Sequence, residues 1–143
     1  MFTDGRIDLA ASSRDETDEA CGIVHCYAFD ILISGTRKYA GYISIRIGES
    51  PELYYLGHVG YRIEKAYRGN GYAGNACRLL VPFLSRIGQR TLVITNDPDN
   101  LPSRATCEKL GCTLERIAPV PERYRVTVNG STSKCRYIWR IRD

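Results

Sequence analysis

Zinc-ligand spacing is missing from this sequence. Its six cysteines (Cys21, Cys26, Cys77, Cys107, Cys112 and Cys135) contain no C-x-x-C pair, and its two histidines, His25 and His58, make no H-x-x-x-H. The usual structural zinc sets are therefore excluded, and no metal is expected. Long apolar runs are missing too. Nothing approaches the roughly 18 uncharged apolar residues that span a bilayer, so no membrane partner is expected. The first residues carry Asp4, Arg6 and Asp8 where a secretory leader would be apolar. A cytoplasmic location is expected, with the cysteines reduced and mostly buried rather than paired. With no internal repeat, low-complexity tract or linker, a single domain over residues 1–143 is expected.

What is present is ordinary for a globular chain: 143 residues, 43% hydrophobic and 25% charged. That excludes a wholly disordered chain and is enough to bury a core without staples. Lys plus Arg number 20 against 16 Asp plus Glu, a net charge of +4. The arginines are scattered, and only Lys134 to Arg142 is locally basic. Dedicated nucleic-acid modules concentrate their charge, so nucleic acid is not the expected partner.

Periodicity sets out the elements. Arg6 to Ala10 reads as a short strand and Ala11 to Ala20 as an acidic loop. Gly22 to Ile33 and Lys38 to Ile47 read as a hairpin across Ser34-Gly35-Thr36. In its second arm Tyr39, Gly41, Ile43, Ile45 and Ile47 share one parity, as in a half-buried strand. Gly48 to Leu56, with Pro51, reads as a loop and Gly57 to Ile63 as a strand. The period then changes. Ala73, Ala76, Cys77, Leu80, Phe83, Leu84 and Ile87 make a helical stripe, with Pro82 inside it and Gly88 ending it. Thr91 to Thr95 is a short buried strand. Leu101 to Leu110 is a second helix, with Asn100 as N-cap, Pro102 in the first turn and Gly111 closing it. Thr113 to Ala118 is a strand. Cys135, Tyr137, Trp139 and Ile141 give a last strand one apolar face, with Tyr124 to Val128 as its possible hairpin arm. The fold class is α+β, a mixed sheet with helices.

Three glycines fall within six residues, Gly69, Gly71 and Gly74, where a strand passes into a helix. Glycine lets the backbone turn tightly and lets a ligand reach the amides. The helix N-terminus adds unpaired N–H groups and partial positive charge, so the segment suits phosphate or diphosphate. No Lys-Ser or Lys-Thr follows, which excludes a P-loop. The literal G-x-G-x-x-G lies after apparent antiparallel hairpins, and the next strand carries no acid of its own. A plain glycine-rich helix cap remains the alternative.

Arg68-x-x-Gly71-x-Ala73 fits the [Q/R]-x-x-G-x-[G/A] loop of the acetyl-CoA-dependent GNAT acyltransferases. Asn100-x-x-Ser103-x-x-x-Cys107-Glu108-Lys109-Leu110-Gly111 is similar to that family's second motif, N-x-x-[A/S]-x-x-x-Y-x-K-x-G. The chain therefore resembles this superfamily, strongly from Gly57 to Cys112 and only in topology before Gly57. The resemblance implies a mostly antiparallel sheet with a splayed parallel strand pair (Gly57–Ile63 and Thr91–Thr95), two main helices, and reduced or missing N-terminal helices. It also implies an N-acetyltransferase that passes an acetyl group directly from acetyl-CoA to a primary amine of a small molecule or peptide. Ile63, Glu64 and Lys65 would pair with the pantetheine arm. The amides of Gly69, Gly71, Tyr72, Ala73 and Gly74 would hold the diphosphate beside Arg68. Asn100 and Ser103 would border the thiol end. A homodimer is compatible with these residues.

The family's usual acid, a tyrosine, is replaced by Cys107. That thiol is either a short acid or a small buried side chain, with Tyr124 and Tyr137 as other donors. His58, at the start of the strand leading to the loop, is the first choice of base, with Glu49, Glu52 and Glu64 as alternatives and His25 as structural. Two rival functions stay open: a non-catalytic acyl-CoA sensor, and a thiol acyltransferase that uses Cys107 as nucleophile. The acceptor would be set by Gly48–Leu56, Ala11–Ala20 and Pro119–Ser133. Glu49, Glu52, Tyr54 and Tyr55 are compatible with a cationic amine.

Overall fold

The apolar alternation of Ile23–Ile33 and Lys38–Gly48 builds an antiparallel hairpin, to which Ile7–Ala11 adds on one side and Val59–Ile63 on the other. In the computed structural model, which describes residues 2–142, the elements run β1 (Phe2–Thr3), β2 (Ile7–Ala11), β3 (Ile23–Ile33), β4 (Lys38–Gly48), α1 (Pro51–Leu56), β5 (Val59–Ile63), α2 (Tyr72–Arg86), β6 (Thr91–Asn96), α3 (Leu101–Lys109), β7 (Thr113–Pro119) and β8 (Ser133–Arg140). Short 3-10 helices lie at Lys65–Tyr67 and Glu122–Val128. One sheet has the order β1-β2-β3-β4-β5 and the other β6-β8-β7, and all described ladders are antiparallel. Strands β5 and β6 share no ladder. They are joined through α2, the crossover that a parallel pair requires, and they meet near His58 and Val93 before parting. Among the described residues no helix stands between β2 and β3.

The core lies between the five-stranded sheet and α2. Ala76, Cys77, Leu80 and Leu84 present the apolar stripe of α2 to Ile7, Leu9, Ile31, Ile43 and Ile45, all fully buried. Phe83 sits at the edge of that contact, edge-on to Phe2, Tyr27 and Phe29 with ring centroids 5.2–6.0 Å apart. Pro82 is accommodated and α2 runs on to Arg86. All six cysteines are free. Cys77, Cys107 and Cys135 are buried, and Cys21, Cys26 and Cys112 are half-buried. No helix of the described residues is long and apolar enough to cross a membrane.

Three sequence readings are corrected. The segment read as a loop around Pro51 contains helix α1: Ser50 Oγ accepts from Leu53 N at 2.9 Å, and proline fits the first turn, where no N–H partner is needed. The single parity expected along β4 breaks at Ala40. Ile31 faces Gly41 while Leu32 faces Tyr39, so Ala40 is an extra residue; it is fully buried and Tyr39 is exposed. Tyr124–Val128 is not a hairpin arm but part of a 3-10 helix. Both edges of β8 are already taken, by β6 and β7, and no ladder position is left for it.

Candidate functional site

The passage from β5 to α2 is built by two glycines in the left-handed region, Gly69 (φ +85°) and Gly71 (φ +75°), the second being the N-cap of α2. A Cβ at either would meet nothing within 4 Å, so the backbone faces open space. No side chain caps α2. Among the described residues nothing accepts from the amides of Gly69, Gly71, Tyr72, Ala73 or Gly74. Five N–H groups without a partner therefore cluster at a helix N-terminus, an arrangement that attracts anions. Cations flank it. Arg6, in the bend just before β2, donates to Asn70 O at 3.1 Å and lies over the Tyr72 ring. Arg78 donates to Lys109 O at 3.2 Å and lies beside Gly74. The sequence did not reveal Arg6, because 64 residues separate it from its partner. Arg68 donates from Nε to Ile63 O at 2.9 Å, and Glu64 N–H is bonded to Ala40 O at 2.8 Å. Of the backbone groups expected for an extended ligand, those two are already occupied.

A second cluster spans the splay. Asn100 Oδ1 accepts from Ser103 N and so caps α3. Ser103 Oγ lies 2.8 Å from the Tyr61 hydroxyl and accepts from Asn96 Nδ2 at 3.2 Å. Burial pushes the Tyr61 phenol up to about 12, which keeps it protonated. Cys107 is fully buried, with its sulfur 3.6 Å from Asn96 Nδ2. A hydrogen bond with Cys112 and burial hold its thiol well above the usual range. Tyr61 and Asn96 were not singled out from the sequence. Each is one polar residue in an apolar strand, and only the meeting of β5, β6 and α3 gives them a partner in common.

His58 lies apart from this cluster. Its N–H donates to Val93 O at 2.7 Å, and its ring Nδ1 accepts from Val93 N at 2.9 Å. The proton is therefore on Nε2, 3.3 Å from Gly48 O and 3.6 Å from the Glu49 carboxylate. The nitrogen that a base would use already holds the two sheets together. Burial lowers the imidazole pKa from its ordinary 6.5, against an upward pull from Glu49. The unfolded chain thus takes up a proton at a pH where the folded chain does not. Stability is complete above the unfolded value and declines as the pH falls through it toward the folded one. Urea midpoints are expected to fall between about pH 7 and about pH 5.5. His58→Asn should flatten that profile, and an unaltered slope would contradict the assignment.

An open cleft of about 430 Å³ lies among Asp15, Glu16, Asp18, Arg46, Leu56 and Thr127. It gathers the three segments expected to set the acceptor. Glu16 pins the acidic loop to β4, accepting from Arg46 Nε at 2.8 Å and Ser44 Oγ at 3.0 Å. Arg46 in turn donates to Gly57 O at 2.9 Å, which places the cleft beside the start of β5. The backbone N–H of Thr17 lowers the Asp15 pKa, so that carboxylate stays ionised. Among the described residues no group of three or more His, Cys, Asp or Glu is placed to hold a metal ion.

A family model described as an acetyltransferase (GNAT) domain matches residues 5–113, extending the resemblance well before Gly57. Among solved structures, the chain is 26% identical to a Vibrio cholerae protein assigned as a ribosomal-protein-serine acetyltransferase, covering 80% of this chain and 64% of that one at a TM-score of 0.61. It is 27% identical to the microcin C7 self-immunity acetyltransferase MccE, solved with acetyl-CoA and AMP, covering 81% and 61% at 0.63. In fold it matches a Salmonella typhimurium acetyltransferase that modifies the N-terminal serine of ribosomal protein L7/L12, at 24% identity and 0.61, covering 82% and 64%. The chain spans less than two thirds of the length of each of these three. No curated protein matches its sequence.

Proposed function

The chain belongs to the GNAT acetyltransferase family, and from that membership we propose that it transfers an acetyl group from acetyl-CoA to an amine by direct attack within a ternary complex. The carrying observation is the set of unpaired amides at Gly69 and from Gly71 to Gly74, with open space at Gly69 and Gly71. Acetyl-CoA supplies the acyl group already activated as a thioester. Those amides, with Arg6, Arg68 and Arg78 near them, hold its diphosphate. The edge at Ile63–Lys65 receives the pantetheine arm once Arg68 leaves Ile63 O.

Ser103 is the acid of this reading. Asn96 Nδ2 donates to Oγ, and the Tyr61 hydroxyl lies 2.8 Å from it; in this reading the phenol donates to Oγ as well, and the serine's own hydrogen goes to the departing thiolate. Tyr61 passes its own proton to that oxygen at the same time, so Ser103 relays a proton and the phenolate is reprotonated from solvent or the product ammonium. Ser103→Ala and Tyr61→Phe should each lower kcat by about 10-fold or more with CoA affinity retained, as a proton donor to the leaving group requires. Unchanged kcat in both would dismiss the pair. Cys107 is a packed side chain here. Its burial and its protonated thiol favour direct transfer over a covalent acyl-cysteine. His58 acts as a brace of the splay rather than as the base.

The acceptor amine enters from the cleft beside Gly57, where Asp15 and Asp18 favour a cationic molecule or peptide N-terminus. Calorimetry with CoA and acetyl-CoA at millimolar concentration tests the binding, and an amine library followed by CoA release tests the transfer. Absence of heat with either ligand removes the reading. Binding without release from any amine would leave a non-catalytic sensor.

A further inference from the structure

Asn96 ends β6 and is 4% exposed. Its amide nitrogen is fully used, donating to Ser103 Oγ at 3.2 Å and lying 3.6 Å from Cys107 Sγ. Its amide oxygen is buried and has no partner, the only such side-chain atom among the described residues. A buried acceptor without a donor costs about 1–3 kcal/mol, and folded chains rarely leave one. The amide is also not free to turn away. Asn96 is tied to Ser103, Ser103 is tied to Tyr61 of β5, and Asn100 caps the helix that carries Ser103. Asn96 is therefore fixed where β5, β6 and α3 meet.

We infer that Asn96 is a binding residue for the pantetheine arm of the acyl donor, its side-chain oxygen accepting an amide N–H of that arm. The inference rests on the acetyltransferase reading above. Hydrogen-bond type restricts the choice of ligand group. Phosphate oxygens and the thioester carbonyl are acceptors and cannot pair with an amide oxygen. The arm's secondary amides are donors, and the splay is where an extended amide chain can enter without displacing a ladder. The same contact would tie the position of the arm to Ser103, the proposed proton donor, because one side-chain amide touches both.

The test compares CoA with phosphoadenosine diphosphate, which keeps the cofactor's phosphates and lacks the arm. Calorimetry is run on the full chain, on Asn96→Leu and on Asn96→Ser, using whichever variant keeps the wild-type circular dichroism. CoA affinity is expected to fall about tenfold, the worth of one hydrogen bond, while the fragment binds within about twofold of wild type. CoA affinity within about twofold of wild type would overturn the inference and would mean that an internal water serves the oxygen. Equal weakening of both ligands would overturn it as well. A wild-type chain that binds the fragment and CoA equally well refutes the arm contact and leaves the diphosphate site standing. One that binds neither refutes the acetyltransferase reading and this inference together.

Discussion

Gly71→Asp is expected to lower CoA affinity by at least about 100-fold while leaving the fold intact. The position is left-handed, at φ +75°, and caps α2. Aspartate tolerates that conformation better than most residues, and it is a favoured cap whose charge suits a helix N-terminus. Its stability cost should stay below about 1 kcal/mol. The same carboxylate stands where the diphosphate would sit. Two like charges about 4 Å apart repel by about 4 kcal/mol near a protein surface, and salt removes part of that. Gly71→Asn separates charge from bulk, since it adds the same volume without the charge and should lose far less affinity. Calorimetry with CoA on the three proteins decides the matter. Equal affinities for wild type and Gly71→Asp would mean that the loop does not hold the phosphates.

Gly41→Ala should destabilise the protein by about 3 kcal/mol or more, lowering the melting temperature by roughly 10 °C. Gly41 is buried between β3 and β5, opposite Ile31 and Ile63, at φ +153°. An added Cβ would run into the carbonyl of Arg62 and lie 3.0 Å from Ile63 Cα. Both are backbone atoms of a paired strand, so neither can give way without moving β5. That strand carries the Tyr61 hydroxyl and leads into the glycine loop, so CoA affinity should fall along with stability. A thermal melt within about 2 °C of wild type would show that the strand pair yields more easily than its geometry indicates. Gly69→Ala is the natural comparison. It meets nothing within 4 Å, and its cost is limited to backbone strain.

The long elements were legible because each is decided by its own period. The apolar stripe from Ala73 to Leu84 and the β-branched runs of β3, β4 and β6 need no distant residue to be recognised. The errors arose where a neighbour decides. A bulge at Ala40 shifts every side chain before it to the other face, and only the pairing with Ile31 and Leu32 reveals it. Tyr124–Val128 alternates acceptably for a strand, yet β8 has no free edge to receive it. Helix α1 has six residues, too few for periodicity to be seen, and its proline reads equally well as a turn.

The sequence by itself determined the glycine turn at the start of α2. Its glycines and the helix N-terminus that follows are contiguous, and local conformation alone leaves their amides unpaired. It also determined the capping of α3 by Asn100, a contact within three residues. Only the tertiary structure decided what surrounds those features. Tyr61, Asn96 and Ser103 come from β5, β6 and α3, Arg6 comes from the bend before β2, and the acidic cleft draws on four separate segments. Hydrogen bonds and burial act through space at about 3 Å, so the residues that share a proton or leave an oxygen unpaired are chosen by how the sheets meet, not by their spacing along the chain.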